Sequence, residues 1–148
     1  MEKLGKLFAD VARCHSSGVH NEVCKLGVGR GMPPMLGYIR HHNGCKQSEL
    51  CKNGHISAAT VTVMLQSMEK NGFITRCTDK DDQRCVRLYI TPKGEETERL
   101  SRDMVESFDR EFFSCLTEEE QASLGEILTQ LSEHHSCRRD FDKKGENA

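Results

Sequence analysis

A mainly helical fold with one small β-hairpin follows from three observations. Apolar residues recur at three- and four-residue steps over most of the 148-residue chain. The period changes to two only once, across residues 73–78 and 85–90. Capping residues and Gly or Pro stops bracket the helical stretches.

The length suits one domain with helical extensions, at about 100–150 residues per domain. Apolar residues make up 36%, charged residues 30%, and mean hydropathy is −0.62. Such a chain is soluble with a modest core of its own, so an oligomer is expected. No run of about 18 apolar residues exists to span a bilayer, and Asp10 interrupts the stretch in which an export signal would be continuously apolar. A cytoplasmic protein with no membrane partner is the expectation. The eight cysteines include no CxxC pair and are read as reduced thiols.

In chain order, Leu4, Leu7, Phe8, Val11, Val19 and Val23 place a helix over residues 2–25. Glycines and two prolines at 27–34 mark a boundary. Short helices fit 34–42, closed by Asn43-Gly44, and 47–53. Ser57 is an N-cap for a helix over 58–70 whose inward stripe is Val61, Met64, Leu65 and Met68, closed by Asn71-Gly72. The hairpin follows, with a charged tip at 79–84. Thr91-Pro92 starts a long helix carrying Leu100, Met104, Phe108 and Phe112. Thr117 and Glu120 form a capping box for a last helix with Leu124, Ile127, Leu128 and Leu131 turned inward. The expected organisation is an N-terminal helix at 1–30, a compact middle at 31–93, two C-terminal helices at 94–138 and a disordered tail at 139–148.

Two helices in about 25 residues followed at once by a hairpin make a winged helix-turn-helix, whose second helix enters the DNA major groove while the wing follows the backbone or minor groove. Charge agrees: residues 30–93 carry ten Lys/Arg against five Asp/Glu, while residues 94–148 carry seven against fifteen. The inward stripe of the 58–70 helix leaves Ser57, Ala58, Ala59, Thr62, Val63 and Gln66 outward, for phosphates, a thymine methyl and an adenine edge. Arg76, Lys80, Arg84 and Arg87 supply the wing with cations, and Asp82 is placed to hold the Arg84 guanidinium. Cys77 and Cys85 flank the tip and are expected to face each other as redox candidates. His20 and Cys24, one helical turn apart, are weak zinc-ligand candidates, and no metal or cofactor is expected. No nucleophile is paired with a base and no Gly-rich phosphate loop follows a strand, so an enzyme is not expected.

Ser48-Glu-Leu50, His55-Ile-Ser-Ala-Ala-Thr-Val-Thr62, Met68-Glu-Lys-Asn-Gly-Phe-Ile-Thr-Arg76, Asp82-Gln-Arg84 and Leu88-Tyr-Ile-Thr-Pro-Lys-Gly94 resemble the MarR family, the multiple antibiotic resistance regulators. The resemblance implies a homodimer whose terminal helices form a dimerisation domain. It also implies a repressor on a double-stranded, pseudo-palindromic operator, released by a small aromatic or phenolic effector, an oxidant or a metal. It carries the wing arginine onto Arg84, its supporting carboxylate onto Asp82, and recognition-helix contacts onto Ser57, Thr60, Thr62 and Gln66. Val63 stands where many members have Arg. An effector pocket between dimer helices and DNA-binding lobe would draw on Phe8, Val11, Met35 and Tyr38, and a peroxide-reactive thiol on Cys14. A winged-helix module for protein partners is the competing reading.

Overall fold

The computed structural model describes residues 2–54 and 56–145, with side chains over 3–54 and 56–134. The order is α1 (Glu2–Val23), a single 3₁₀ turn (Cys24–Leu26), α2 (Met32–His41), β1 (Cys45–Lys46), α3 (Gln47–Gly54), α4 (Ala58–Lys70), β2 (Ile74–Thr78), β3 (Val86–Ile90), α5 (Pro92–Phe112) and α6 (Glu118–Gly145). The chain divides into two compact units, residues 1–109 and 110–148.

In the first unit the core lies under the helix-turn-helix. Leu36, Ile39, Val61, Leu65, Met68 and Leu88 are fully buried there, and Phe73 and Ile74 close it from the hairpin side. The α2 helix begins two residues before its expected start because Gly31, at φ 79°, caps it and the prolines fall in its first turn, where no N–H is missed. The helix-turn-helix pair α3 and α4 keeps the expected bounds within a residue. Ser57 caps α4 by accepting from the Thr60 N–H at 3.2 Å.

The sheet has three strands rather than two, antiparallel in the order β1-β3-β2. The added β1 is two residues long and pairs Cys45 with Leu88 and Lys46 with Arg87. Two residues show no alternation, so the sequence pattern misses them. What makes them a strand is Gly44, whose φ of 87° turns the chain and whose N–H donates to the Leu88 carbonyl at 2.7 Å.

The join between α4, the hairpin and α5 is tightly specified. The Phe73 N–H bonds the Met68 carbonyl and the Gly72 N–H bonds the Glu69 carbonyl, both at 2.9 Å. This is a Schellman closure, with Gly72 at φ 76° and the side chains of Phe73 and Met68 both in the core. Thr91 then caps α5, accepting from the Gly94 N–H at 3.0 Å while its hydroxyl donates to the Gly72 carbonyl at 2.6 Å and its N–H to the Phe73 carbonyl at 3.0 Å. On α5 the Leu100, Met104 and Phe108 stripe is half-buried. The ring of Phe108 occupies the space where a side chain at Gly18 of α1 would stand.

In the second unit the capping box forms as expected: Thr117 Oγ1 accepts from the Glu120 N–H at 3.3 Å, and Glu120 Oε2 from the Thr117 N–H at 2.9 Å. The α6 stripe departs from expectation. Ile127, Leu128 and Leu131 are exposed in the single chain rather than turned inward, since this unit contains only the end of α5 and α6 itself and offers nothing to cover them. Leu4, Leu7, Phe8 and Val11 of α1 are likewise exposed. The backbone of α6 is helical through Gly145, beyond the expected start of the tail; residues 146–148 lie outside those described.

A methyl at position 94 collides with the Phe73 carbonyl oxygen, a backbone atom that the surrounding bonds hold in place. Gly94→Ala is therefore expected to destabilise the fold by about 3 kcal/mol, read from the denaturant midpoint; a loss within experimental error refutes the tight junction.

Candidate nucleic-acid interface

The outward face of α4 is formed by Ala59, Val63, Gln66 and Lys70, all exposed, with Ala58 and Thr60 exposed beside them. Val63 is 65% exposed, unusually open for its type. The three hydroxyls expected to point outward are less free. Ser57 and Thr60 bond to each other at 2.8 Å. Thr62 is half-buried; its hydroxyl donates to the Ala58 carbonyl at 2.8 Å and accepts from Gln47 Nε2 at 2.7 Å, tying α3 to α4. Lys70 and Gln47 escape the sequence reading. The helical period that exposes Val63 and Gln66 also reaches Lys70, whereas the Gln47 contact depends on how two helices pack.

The four wing cations divide into two pairs. Arg76 is held by Glu69 at the end of α4, Nε to Oε2 at 2.8 Å. Arg87 is held more firmly: Nε donates to Asp79 Oδ2 at 2.5 Å and a terminal nitrogen to the Gly44 carbonyl at 2.9 Å. Both are expected from the sequence to meet phosphates; in the structure both brace the hairpin. Lys80 and Arg84 are exposed at the tip, and neither makes an ion pair among the described residues.

Asp79 and Asp82 build that tip as two side-chain turns. Asp79 Oδ1 accepts from the Asp81 N–H at 2.9 Å. Asp82 Oδ1 accepts from the Arg84 N–H at 3.0 Å, and Oδ2 from the Cys85 thiol at 3.2 Å. Asp82 therefore supports the arginine through its backbone N–H rather than its guanidinium as expected, both carboxylate oxygens accepting bonds within the turn. The Asp81 N–H and then the Arg87 guanidinium hold the Asp79 carboxyl below its ordinary range, and the Arg84 N–H and the Cys85 thiol do the same for Asp82. The bond to Asp82 in turn pushes the Cys85 thiol up, which disfavours a reactive thiolate.

The cysteine pair is corrected by register. Cys77 stands opposite Arg87, while the Asp79 N–H bonds the Cys85 carbonyl, so the two cysteines do not face each other. Cys14 is exposed on α1. His20 and Cys24 gather no further ligand: among the described residues no group of three His, Cys, Asp or Glu could hold a metal, and the Cys24 thiol donates to the Asn21 carbonyl at 3.1 Å.

A cleft of about 500 Å³ lies within the first unit, between α1, the 29–34 segment and α5. Val19, Val23 and Val105 give it apolar walls, the cations Arg30 and Arg102 are balanced in its lining by Glu98 and Glu106, and the buried Nδ1 of His20 has no hydrogen-bond partner among the described residues. None of the expected pocket residues lines it. Phe8 and Val11 are exposed on α1, Met35 is in the core, and Tyr38 stacks on His42 at 4.2 Å between ring centres. The α1 period signals apolar residues but not which of them an α5 neighbour will cover.

The tip also sets a pH dependence. A carboxyl depressed in the folded state contributes stability above its ordinary value of 3.8 and loses it as pH falls through the lower folded value. The wing turns should stay intact down to that range, with the carboxyl carbons of Asp79 and Asp82 titrating below 3.8 by NMR. Midpoints at or above it contradict the two-turn tip.

No helix among the described residues is long and apolar enough to cross a membrane. Residues 35–86 match the MarR family model. The transcriptional regulator BilQ of Clostridium symbiosum, described as HTH-type, is 29% identical over 80% of this chain and 85% of its own. A crystal structure of MarR superposes with a TM-score of 0.79 at 27% identity, covering 93% of both chains. A cysteine-to-serine mutant of Escherichia coli MarR, crystallised with operator DNA, superposes at 0.76 over 87% of this chain and 93% of its own, with 22% identity. With the winged helix-turn-helix in place, residues 35–86 carry a MarR family domain, and the chain is similar over most of its length to MarR-type transcriptional regulators.

Proposed function

We propose that the protein is a cytoplasmic, non-enzymatic repressor that binds a double-stranded, pseudo-palindromic operator as a homodimer and leaves it when a small aromatic or phenolic ligand binds. One observation carries the DNA reading: the outward face of α4 and the two unpaired cations of the wing, Lys80 and Arg84, are all exposed on one winged helix-turn-helix. Within it α4 takes the major groove, with contacts from Ser57, Ala58, Thr60, Thr62, Val63 and Gln66, and Arg84 takes the narrow minor groove beside it. Arg76 and Arg87 keep the wing in shape. That E. coli MarR, a protein of the same fold, was crystallised with operator DNA supports the DNA reading.

The homodimer answers the exposed apolar residues. Leu4, Leu7, Phe8 and Val11 at one end of the chain and Ile127, Leu128 and Leu131 at the other need cover that a single chain does not supply. The effector belongs in the cleft. Its apolar walls suit a compact ring, and α1 and α5 connect the cleft to the rest of the fold.

The test is a titration of labelled duplex from the chain's own promoter region in reducing buffer, repeated across salt and with salicylate added. Affinity should fall steeply with salt, as counterion release requires, and salicylate should release the DNA. Absence of binding at low salt overturns the DNA reading in favour of a protein-partner module. Arg84→Ala should weaken binding by about 1–3 kcal/mol and leave the dimer intact, while unchanged affinity removes the wing contact. A chain lacking residues 117–148 should sediment as a monomer; a stable truncated dimer refutes the role given to α6.

A further inference from the structure

The chemistry of α4 narrows what it reads. We propose, on the basis of the DNA reading above, that α4 recognises its half-site chiefly through methyl groups, so that the half-site places thymines against Val63 and Ala59 and an adenine within reach of Gln66.

Ala59, Val63, Gln66 and Lys70 form one stripe at steps of four, three and four residues, the repeat of a single helical face. Before Lys70 that stripe carries no charge. Its largest apolar group is the Val63 isopropyl, 65% exposed and touching nothing that shields it. The neighbouring hydroxyl of Thr62 has committed its one proton to the Ala58 carbonyl and accepts the Gln47 amide, which leaves its methyl as the group still to be contacted. Ser57 and Thr60 share one bond and the helix cap, leaving a single hydroxyl proton between them in the first turn. Gln66 is exposed and makes no hydrogen bond among the described residues, so both its amide donor and its acceptor are available.

In the major groove the thymine C5 methyl is the apolar group on offer, whereas the edges of guanine, cytosine and adenine present donors and acceptors. Val63 over a thymine methyl buries two apolar surfaces against each other. Val63 over a G·C pair strips water from polar atoms and returns no partner, so the same side chain selects for one pair and against the other. Gln66 supplies the complementary half by bidentate pairing to adenine N6 and N7. A face led by arginine would favour guanine instead.

The experiment uses the full-length protein. A duplex is selected from a randomised pool at low salt, then remade with deoxyuridine in place of thymine, which deletes the methyl and keeps base pairing. Binding should weaken about fourfold for each contacted thymine replaced, the value of one buried methyl-sized group. Val63→Ser, a change at an exposed position that leaves the fold alone, should bring the thymine-to-uracil affinity ratio toward one with the salt slope unchanged. Equal affinity for the two duplexes, or a selected half-site led by guanine and lacking thymine, overturns methyl readout while the DNA-binding function stands. Failure of the wild-type protein to retain any duplex overturns both.

Discussion

The carbonyl of Phe73 is the point on which the winged helix turns. The Thr91 N–H bonds to it, Gly94 packs against it, and the residue that carries it closes the Schellman motif ending α4. One backbone atom thus fixes three directions at once: where α4 stops, how the hairpin leaves and at what angle α5 begins. Buried backbone groups must be paired, so a shift in any of the three strands a polar atom inside the core. Glycine at 94 is required for packing rather than for backbone freedom, because any side chain there meets the carbonyl before it meets solvent.

Electrostatics in the wing follow the same economy. The basic excess of the middle segment suggests a surface dense with free cations. Three of its ten cations are spent internally, Arg40 on the buried Glu98, Arg76 on Glu69 and Arg87 on Asp79. The tip then carries Lys80 and Arg84 above two aspartate turns that order the backbone. A cation presented from an ordered turn loses less conformational entropy on contact than one on a floppy loop, so few free charges suffice.

What is legible in the sequence is local. Ser57, Thr91, Thr117 and Asn71-Gly72 mark helix ends because capping and closure involve residues within a few positions of each other. Periodicity locates α4 to the residue and the hairpin nearly so. Non-local features escape. Strand β1 is too short to alternate, and the partnership of Arg87 with Asp79 and Gly44 depends on a register that reaches 43 positions back along the chain. The internal partners of Arg76, Arg87 and Asp82 escape for this reason: residue type announces a charge, and only the fold shows what that charge is bonded to. The cleft escapes too, since its walls come from three separated segments and its polar groups, His20 and Arg102, stand on faces that look ordinary in each helix alone.

The contrast between positions 62 and 63 bears on how proteins of this shape diverge. Thr62 is held from two sides, so replacing it leaves the Gln47 amide without its acceptor and loosens one helix from the other. Val63 holds nothing. Natural variation can therefore sample many side chains at 63 with little cost in stability, while 62 drifts only together with 47. Neighbouring residues on one helix thus differ in evolutionary freedom, the one setting what the surface recognises and the other keeping that surface in place.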